Sequence, residues 1–299
     1  MDCFDFRRLH DYYPITPVIE IKEISTGNTS NARLVVTMDN KYIVRKLKDT
    51  EQAITEFRIS TALQEHAITP TILLSNDNQP YIKDQEAVYN LQFYVEHHKV
   101  NNSDIHFYNL GKTIALFHSA TQSIPGIYEQ NDRFALEHMW TELIQLEEFD
   151  NMEYKPQLLA LFQQCTTYNH DNNCYIHGDL GIWNLLFNHN KMYIIDFGEV
   201  RKGNHHFDIS AAISSALDWN QEDKIMASLT DFRNGYSSIF EPFHWNVLKE
   251  NFNLWFTRGM MALLIHHGMN ERTLQYVNLT LSRKNQLDSI IDAHFLQQP

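Results

Sequence analysis

The sequence predicts an α+β fold: a small antiparallel sheet with one helix in a first lobe, then a larger, mostly helical lobe. Residues 15–47 contain short apolar runs divided by turn-forming residues, a pattern typical of strands. Beyond about residue 96 the apolar side chains recur with a helical period. A polar segment at residues 96–103 separates the two patterns, so we predict one domain over 1–96 and a second over 97–299.

Three strands and a helix are expected at the start of the first lobe. The strands are predicted at residues 15–25, 32–39 and 42–47. Thr50 is predicted to cap a helix that continues through residues 51–67. Two more strands are predicted at residues 71–75 and 87–96, after the helix.

The second lobe is predicted to be helical around one hairpin. Helices are expected at residues 109–121, 133–148 and 155–167, and again over most of the chain from Asp208 onward. Between them, apolar segments at 184–187 and 192–195 flank a turn of Asn, His and Lys residues. This hairpin would bring Asp179, Asn184 and Asp196 to the same end of its two strands.

The bulk composition argues against several classes of partner. The 299 residues carry a net charge of −13, which is unfavourable for binding nucleic acid. The sequence has no apolar run of the ~20 residues that a membrane span needs, and charged residues occupy its first positions, where a signal peptide would be apolar. Three cysteines without paired spacing suit a reducing compartment. We therefore expect a cytoplasmic protein without nucleic-acid or membrane partners, and leave monomer and dimer open.

The predicted hairpin carries the groups that phosphoryl transfer requires. Asp179 can accept a proton from a substrate hydroxyl. Asn184 and Asp196 supply oxygen ligands of the kind that Mg²⁺ prefers, and Mg²⁺ commonly binds nucleotide phosphates as well. An Asp followed five residues later by Asn, and then an Asp-Phe-Gly, is the spacing of a kinase catalytic loop and metal loop.

A loop between the first two predicted strands could approach a phosphate. Gly27 lets the backbone come close, and Thr29 and Ser30 add hydroxyl groups. A single glycine in a hairpin is more often only a turn, so this loop alone is weak evidence for nucleotide binding.

Arg45 and Glu56 form a second candidate pair. A cation on a strand, paired with a carboxylate on the following helix, can hold phosphate oxygens, although each could also be an ordinary surface charge. Side chains alternate along a strand, so only one of Arg45 and Lys46 faces the cleft. We choose Arg45 because Ile43 and Leu47 share its face and are expected to be buried.

These motifs together resemble the aminoglycoside phosphotransferase and choline kinase-like family, a branch of the protein-kinase-like fold. The resemblance rests on HGDLGIWN at residues 177–184 and IIDFGEV at residues 194–200. Supporting features follow in the family's order over nearly the whole chain. The resemblance implies a bilobal fold and an enzyme that uses ATP and Mg²⁺ to phosphorylate a hydroxyl of a small molecule.

The resemblance also implies roles for individual residues. Asp179 is similar to the catalytic base, and Asn184 and Asp196 are similar to the magnesium ligands. His177 would support the catalytic loop. Asp208 would have a structural role, as a helix cap or as a brace of that loop. The nucleotide would be held by the glycine loop, by Arg45 with its helix partner Glu56, and by the linker-strand backbone around Phe93 and Val95. Two features depart from the family: Arg45 replaces the commoner Lys, and the glycine loop has one Gly instead of three.

The acceptor is the least constrained part of the prediction. Carboxylates are concentrated at residues 137–153 and 218–223, in segments that would flank the acceptor site in this family. If they face the cleft, they favour an amine-bearing acceptor such as an aminoglycoside, amino alcohol or amino sugar. If they are solvated surface, the acceptor is a zwitterionic or neutral metabolite, for example homoserine or a sugar. A nucleotide-binding regulator without turnover is the alternative to an enzyme.

Overall fold

The computed structural model describes residues 4–24, 32–189 and 191–296. Its N-terminal part is an antiparallel sheet in the order β1-β2-β3-β5-β4. The elements of this part are α1 (Leu9–Tyr12), β1 (Val18–Glu23), β2 (Ala32–Thr37), β3 (Lys41–Leu47), α2 (Thr50–Ala62), β4 (Ile82–Asp84) and β5 (Ala87–Phe93).

The C-terminal part is helical apart from two small strand pairs, β6 with β9 and β7 with β8. Its elements are α3 (Phe107–Thr121), α4 (Leu136–Leu143), α5 (Lys155–Cys165), β6 (Cys174–Ile176), β7 (Leu185–Asn188), β8 (Lys191–Ile194), β9 (Arg201–Gly203), α6 (His205–Ala216), α7 (Glu222–Ser237), α8 (Trp245–His267) and α9 (Glu271–His294). The predicted α+β class is confirmed. No helix in the described ranges is both long and apolar enough to span a membrane.

One large apolar core joins the two parts. Helices α3, α6, α7 and α8 supply most of its buried side chains, α2 adds Ile59, and the residue that follows α2 adds Leu63. On its other side, α2 packs Ala53 against Leu47 of β3 and Val88 of β5. Helix α2 is therefore fixed to the sheet and to the helical part at once.

Three predicted elements differ from the structure. The first strand begins at Val18, not residue 15; Pro17, just before it, has no N–H for the ladder. Residues 71–75 form no named strand. They bond to one end of β5, through Leu73 N–H to Leu91 O at 2.8 Å, while the unpredicted β4 pairs with its other end. The helix predicted over 133–148 is confined to α4, with a short 3₁₀ helix at Glu147–Asn151.

The cap of α2 was also assigned wrongly. Thr50 is the first helical residue, and the residue that caps the helix is Asp49. The Asp49 carboxylate accepts a hydrogen bond of 2.8 Å from Gln52 N–H, one of the donors that the first turn leaves unsatisfied. The Gln52 side chain in turn accepts from Lys48 N–H at 2.9 Å.

Asp49→Ala should lower the free energy of unfolding by about 1 kcal/mol, the usual contribution of a capping carboxylate. Thr50→Ala is the matched control and should change it little, because Thr50 lies within the helix and is not its cap. Urea unfolding of both variants measures the difference. Equal losses in the two variants would contradict the assignment of the cap.

Candidate active site

The predicted hairpin lies at the centre of the site. Strands β7 and β8 pair from Leu185 with Ile194 to Asn188 with Lys191, one residue from the expected ends. Ile195 N–H donates to Asn184 O at 3.0 Å, which extends the pairing to the residue before Asp196. The strand ends therefore hold Asn184 and Asp196 side by side, as the sequence predicted.

Asp179 and Asn184 are hydrogen-bonded to each other across the catalytic loop. Asn184 Nδ2–H donates to the backbone oxygen of Asp179 at 2.7 Å and to its Oδ2 at 3.2 Å. Because the amide nitrogen is engaged in this way, the amide oxygen of Asn184 is the atom left for a metal ion. Asp196 stands opposite with a half-exposed carboxylate and a left-handed backbone, φ 66°.

A single guanidinium links the sheet, α2 and the metal loop. Arg45 donates to Glu56 Oε2 at 2.7 Å and to Asp196 Oδ1 at 2.6 Å. Glu56 is buried and also accepts from Gln52 at 2.8 Å and from Asn90 at 3.3 Å. The face chosen for Arg45 is the one that reaches Glu56 and Asp196.

Burial and charge act in opposite directions on these carboxyl groups. Burial raises the pKa of Glu56 despite the Arg45 guanidinium, and the charge of Asp196 adds to the increase. For Asp196, burial alone would raise the pKa, but the Arg45 charge and the Gly198 N–H lower it below its ordinary value. Asp196 is therefore ionised at neutral pH and available as a metal ligand.

Asp208 braces the catalytic loop from beneath. It is fully buried on α6, and its carboxylate accepts from His177 N–H at 2.6 Å and Gly178 N–H at 2.9 Å. His118 on α3 lies 3.1 Å from the same carboxylate. Burial alone would raise the pKa of Asp208, but these hydrogen bonds and the adjacent histidine ring lower it. The structure thus gives Asp208 the supporting position expected from the sequence.

His177 connects the catalytic loop to the metal loop. With its proton on Nε2, the ring donates to Ile195 O at 2.9 Å, and its Nδ1 accepts from Asp179 N–H at 3.4 Å. The ring is buried against Phe197, with the centroids 5.5 Å apart. These contacts suit a supporting residue.

Two structural features explain why the His-Gly-Asp motif has a glycine at position 178. Gly178 has φ 81°, in the left-handed region that other residues rarely adopt. A Cβ built on it would lie 2.1 Å from Nη1 of Arg201 and 2.7 Å from the backbone oxygen of Glu199. Arg201 therefore occupies the space beside the catalytic loop that a side chain at position 178 would need.

Sequence reasoning missed the charged network around Arg201. Asp132 accepts from Arg201 at 3.0 Å and pairs with Arg258 of α8 at 3.0 Å, while Arg133 pairs with Glu199 at 3.0 Å. Burial raises the pKa of Glu199 and lowers the pKa of Arg258 to about 10, and the charge of Asp179 shifts both upward by a smaller amount. The missed residues come from three separate segments, so no local motif marks them.

The linker after β5 has fewer free backbone donors than expected. Phe93 N–H donates to Thr71 O and Tyr94 N–H to Lys41 O, both at 3.0 Å. In the described ranges no residue accepts a hydrogen bond from Val95 N–H. Of the predicted adenine contacts, Val95 therefore keeps a free donor, whereas the N–H of Phe93 is engaged.

The glycine loop and the acidic segments are the two remaining groups that the sequence predicted near the site. Gly27, Thr29 and Ser30 lie outside the described residues. The acidic segments are on the surface, where Glu142 pairs with His138 at 3.3 Å and Asp150 with Lys155 at 2.7 Å. Both pairs lie away from Asp179, and the charged groups found around Asp179 belong to the network of Arg201.

A two-part fold with a His-Gly-Asp loop and an Asp-Phe-Gly loop facing each other is kinase-like. The model of the phosphotransferase enzyme family (APH) matches residues 20–250. The chain therefore belongs to this family and is a small-molecule phosphotransferase. A comparison with curated proteins finds no significant match.

Solved structures share this fold at low sequence identity. A spectinomycin phosphotransferase in complex with ADP and spectinomycin is 13% identical, with a TM-score of 0.66 and 95% of each chain covered. An amicoumacin kinase with AMP-PNP and Ca²⁺ is 16% identical, with a TM-score of 0.69 over 97% of this chain and 94% of that one. A choline kinase from Streptococcus pneumoniae is 15% identical, with a TM-score of 0.61 over 91% and 94%.

Asp208→Asn should lower the free energy of unfolding at neutral pH by about 3 kcal/mol, because a buried carboxylate with several hydrogen bonds is lost. Since the folded pKa of Asp208 is lowered, its stabilisation is complete above the ordinary value and is lost as the pH falls through the folded pKa. The difference between wild type and variant should thus be constant above about pH 5 and shrink below about pH 4.

Urea unfolding at a series of pH values measures this dependence. Asp231→Asn, on the exposed side of α7, is the control and should change the free energy of unfolding by less than about 0.5 kcal/mol. A difference for Asp208→Asn that keeps its full size below pH 4 would contradict the ionised brace.

Proposed function

We propose that this phosphotransferase moves the γ-phosphate of ATP to a hydroxyl group of a small, amine-bearing molecule. The amine is proposed because the Asp179 carboxylate pairs with no cation among the described residues. The exposed carboxylates of the acidic segments do not favour it. The observation that carries the proposal is the meeting of Asp179, Asn184 and Asp196 at one end of the β7–β8 hairpin, opposite the Arg45–Glu56 pair. Phosphoryl transfer depends mainly on positioning and charge stabilisation, and this arrangement supplies groups for both.

In this proposal residues 1–96 hold the nucleotide and residues 97–299 carry catalysis and the acceptor. Arg45 would bind phosphate oxygens, and Val95 N–H would donate to the adenine ring. Gly27, Thr29 and Ser30 are kept as phosphate contacts on the sequence argument alone. Support for a nucleotide comes from the spectinomycin phosphotransferase and the amicoumacin kinase, which were solved with ADP and AMP-PNP.

We propose Mg²⁺ as the metal, held by the Asn184 amide oxygen and the Asp196 carboxylate. Both are hard oxygen donors, and the orientation of the Asn184 amide leaves its oxygen free. Bound Mg²⁺ would neutralise charge on the phosphates. Two protein ligands leave most of an octahedral shell to nucleotide oxygens and water.

Asp179 is the proposed proton acceptor. As the hydroxyl oxygen of the small-molecule substrate bonds to the γ-phosphorus, the hydroxyl proton passes to the Asp179 carboxylate. The bond from the γ-phosphorus to the oxygen bridging the β- and γ-phosphates breaks, and ADP leaves with that electron pair. Arg45 would stabilise charge on the phosphates while Asp208 keeps the catalytic loop in place.

A zwitterionic acceptor is the second candidate. Arg258 is buried and belongs to the charged network of Arg201. No described residue accepts a hydrogen bond from its Nη1. This atom is closed to solvent, so the second candidate rests on the exposed carboxylates of residues 137–153, which leave a zwitterionic acceptor such as homoserine, or a neutral sugar, open. A regulator without turnover is less well supported, because it has no need for Asp179, Asn184 and Asp196 together.

A cytoplasmic location is also proposed. Cys165 and Cys174 are both free and buried, which suits a reducing compartment. The acceptor is then a metabolite or an imported compound, with ATP drawn from the same pool.

Asp179→Asn should keep nucleotide binding and lose about 10²–10⁴-fold in turnover, the usual share of a positioned base. The measurement is ADP release by wild type with choline, 1-amino-2-propanol, spectinomycin and homoserine, followed by the variant with the best acceptor. Unchanged turnover would remove Asp179 from the mechanism, and loss of folding would make the residue structural.

A further inference from the structure

Trp183 lies beside the proposed base and is unusually exposed for a tryptophan. It follows Ile182 in the short 3₁₀ helix at Ile182–Asn184, and 56% of its surface is open to solvent. Its indole Nε1–H donates to Asp179 Oδ2 at 3.2 Å. The exposed ring therefore stands next to the carboxylate that would receive the proton of the acceptor hydroxyl.

The position of the indole is built into the loop. A Cβ on Gly181 would lie 2.3 Å from the benzene ring of the indole, so only glycine lets the ring lie across the backbone here. Trp255 of α8 supports the indole from the helical part, with the ring centroids 6.4 Å apart and the planes at 19°. Trp255 in turn packs edge-on against Phe207 of α6 at 5.6 Å.

The indole lies beside the negatively charged carboxylate of Asp179. The arginines of the neighbouring network pair with Asp132 and Glu199. Asp179 Oδ2 instead receives two neutral donors, Trp183 Nε1–H and Asn184 Nδ2–H, and no ion pair joins Asp179 to a cation among the described residues. A half-exposed indole ring beside a carboxylate that pairs with no cation among the described residues is a favourable place for a cation.

We infer that Trp183 is a binding surface for the acceptor and selects an ammonium-bearing alcohol. The ammonium group lies over the indole face, within about 6 Å of the ring centroid, while the hydroxyl meets Asp179. The inference rests on the proposed kinase function and adds the residue that recognises the amine. It suits acceptors whose ammonium and hydroxyl groups are on carbons close together.

Trp183 has a second role as a positioning residue. Its N–H and that of Asn184 both bind Oδ2 of Asp179, which leaves Oδ1 for the acceptor hydroxyl. Removing the N–H while keeping an aromatic ring should therefore lower kcat. Removing the aromatic face should raise the KM for ammonium acceptors.

The test compares Trp183→Phe and Trp183→Leu on acceptors matched in shape but not in charge. The pairs are choline with 3,3-dimethylbutan-1-ol and 1-amino-2-propanol with butan-2-ol. Wild type should prefer each ammonium member. Trp183→Leu should lose about fivefold of that preference in kcat/KM, the effect of a cation–π contact of about 1 kcal/mol. Trp183→Phe should keep most of the preference for the ammonium acceptor. Its kcat should fall about tenfold, the effect of losing one hydrogen bond to a charged group.

The KM for ATP should stay unchanged in both variants, which a general structural defect would not allow. Tyr276→Ala removes an aromatic ring of similar exposure on α9. This control should change neither the ammonium preference in kcat/KM nor kcat. An unchanged ammonium preference in Trp183→Leu, or no preference in wild type, would overturn the inference.

A binding measurement separates this inference from the kinase proposal. Choline should alter the tryptophan fluorescence of wild type, and the change should be reduced in Trp183→Phe. If no acceptor is phosphorylated but this difference is seen, the kinase proposal fails and the ammonium site stands. If choline is phosphorylated but both proteins respond alike, the kinase stands and the site is wrong.

Discussion

The Arg45 guanidinium is the contact on which the geometry of the cleft depends. It reaches Glu56 on α2 and Asp196 on the metal loop at the same time, at 2.7 and 2.6 Å. A planar guanidinium can bind two carboxylates in different directions, whereas a lysine ammonium is a single point charge. The replacement of the commoner Lys by Arg thus has a structural consequence: the sheet, the helix and the metal loop are held by one side chain.

The opposite wall of the cleft depends on a buried carboxylate. Asp208 holds the backbone of His177 and Gly178, and His177 carries the connection on to Ile195 just before Asp196. The catalytic loop and the metal loop are therefore fixed to each other before any ligand binds. In the proposed reaction this preorganisation reduces the rearrangement needed when nucleotide and acceptor arrive.

The sequence predicted what short-range patterns encode. The hairpin, the central helix α3 and the order of sheet and helices follow from local periodicity, and the spacing of Asp179, Asn184 and Asp196 follows from one motif. What it missed depends on long-range pairing. Strands β6 and β9 are only three residues each and pair across the catalytic and metal loops. Arg201 touches Gly178 through that pairing, and the position of Trp183 depends on Gly181 and on Trp255 far along the chain.

In the proposed mechanism the cleft is a shared site for nucleotide and Mg²⁺, and neither binds fully alone. Thermal unfolding with ATP, with Mg²⁺ and with both tests it directly. The account predicts a small shift with either alone and a rise in Tm of about 5 °C with both at saturating concentration, because Asn184 and Asp196 cannot complete a metal site. Equal stabilisation by Mg²⁺ with and without ATP would contradict it.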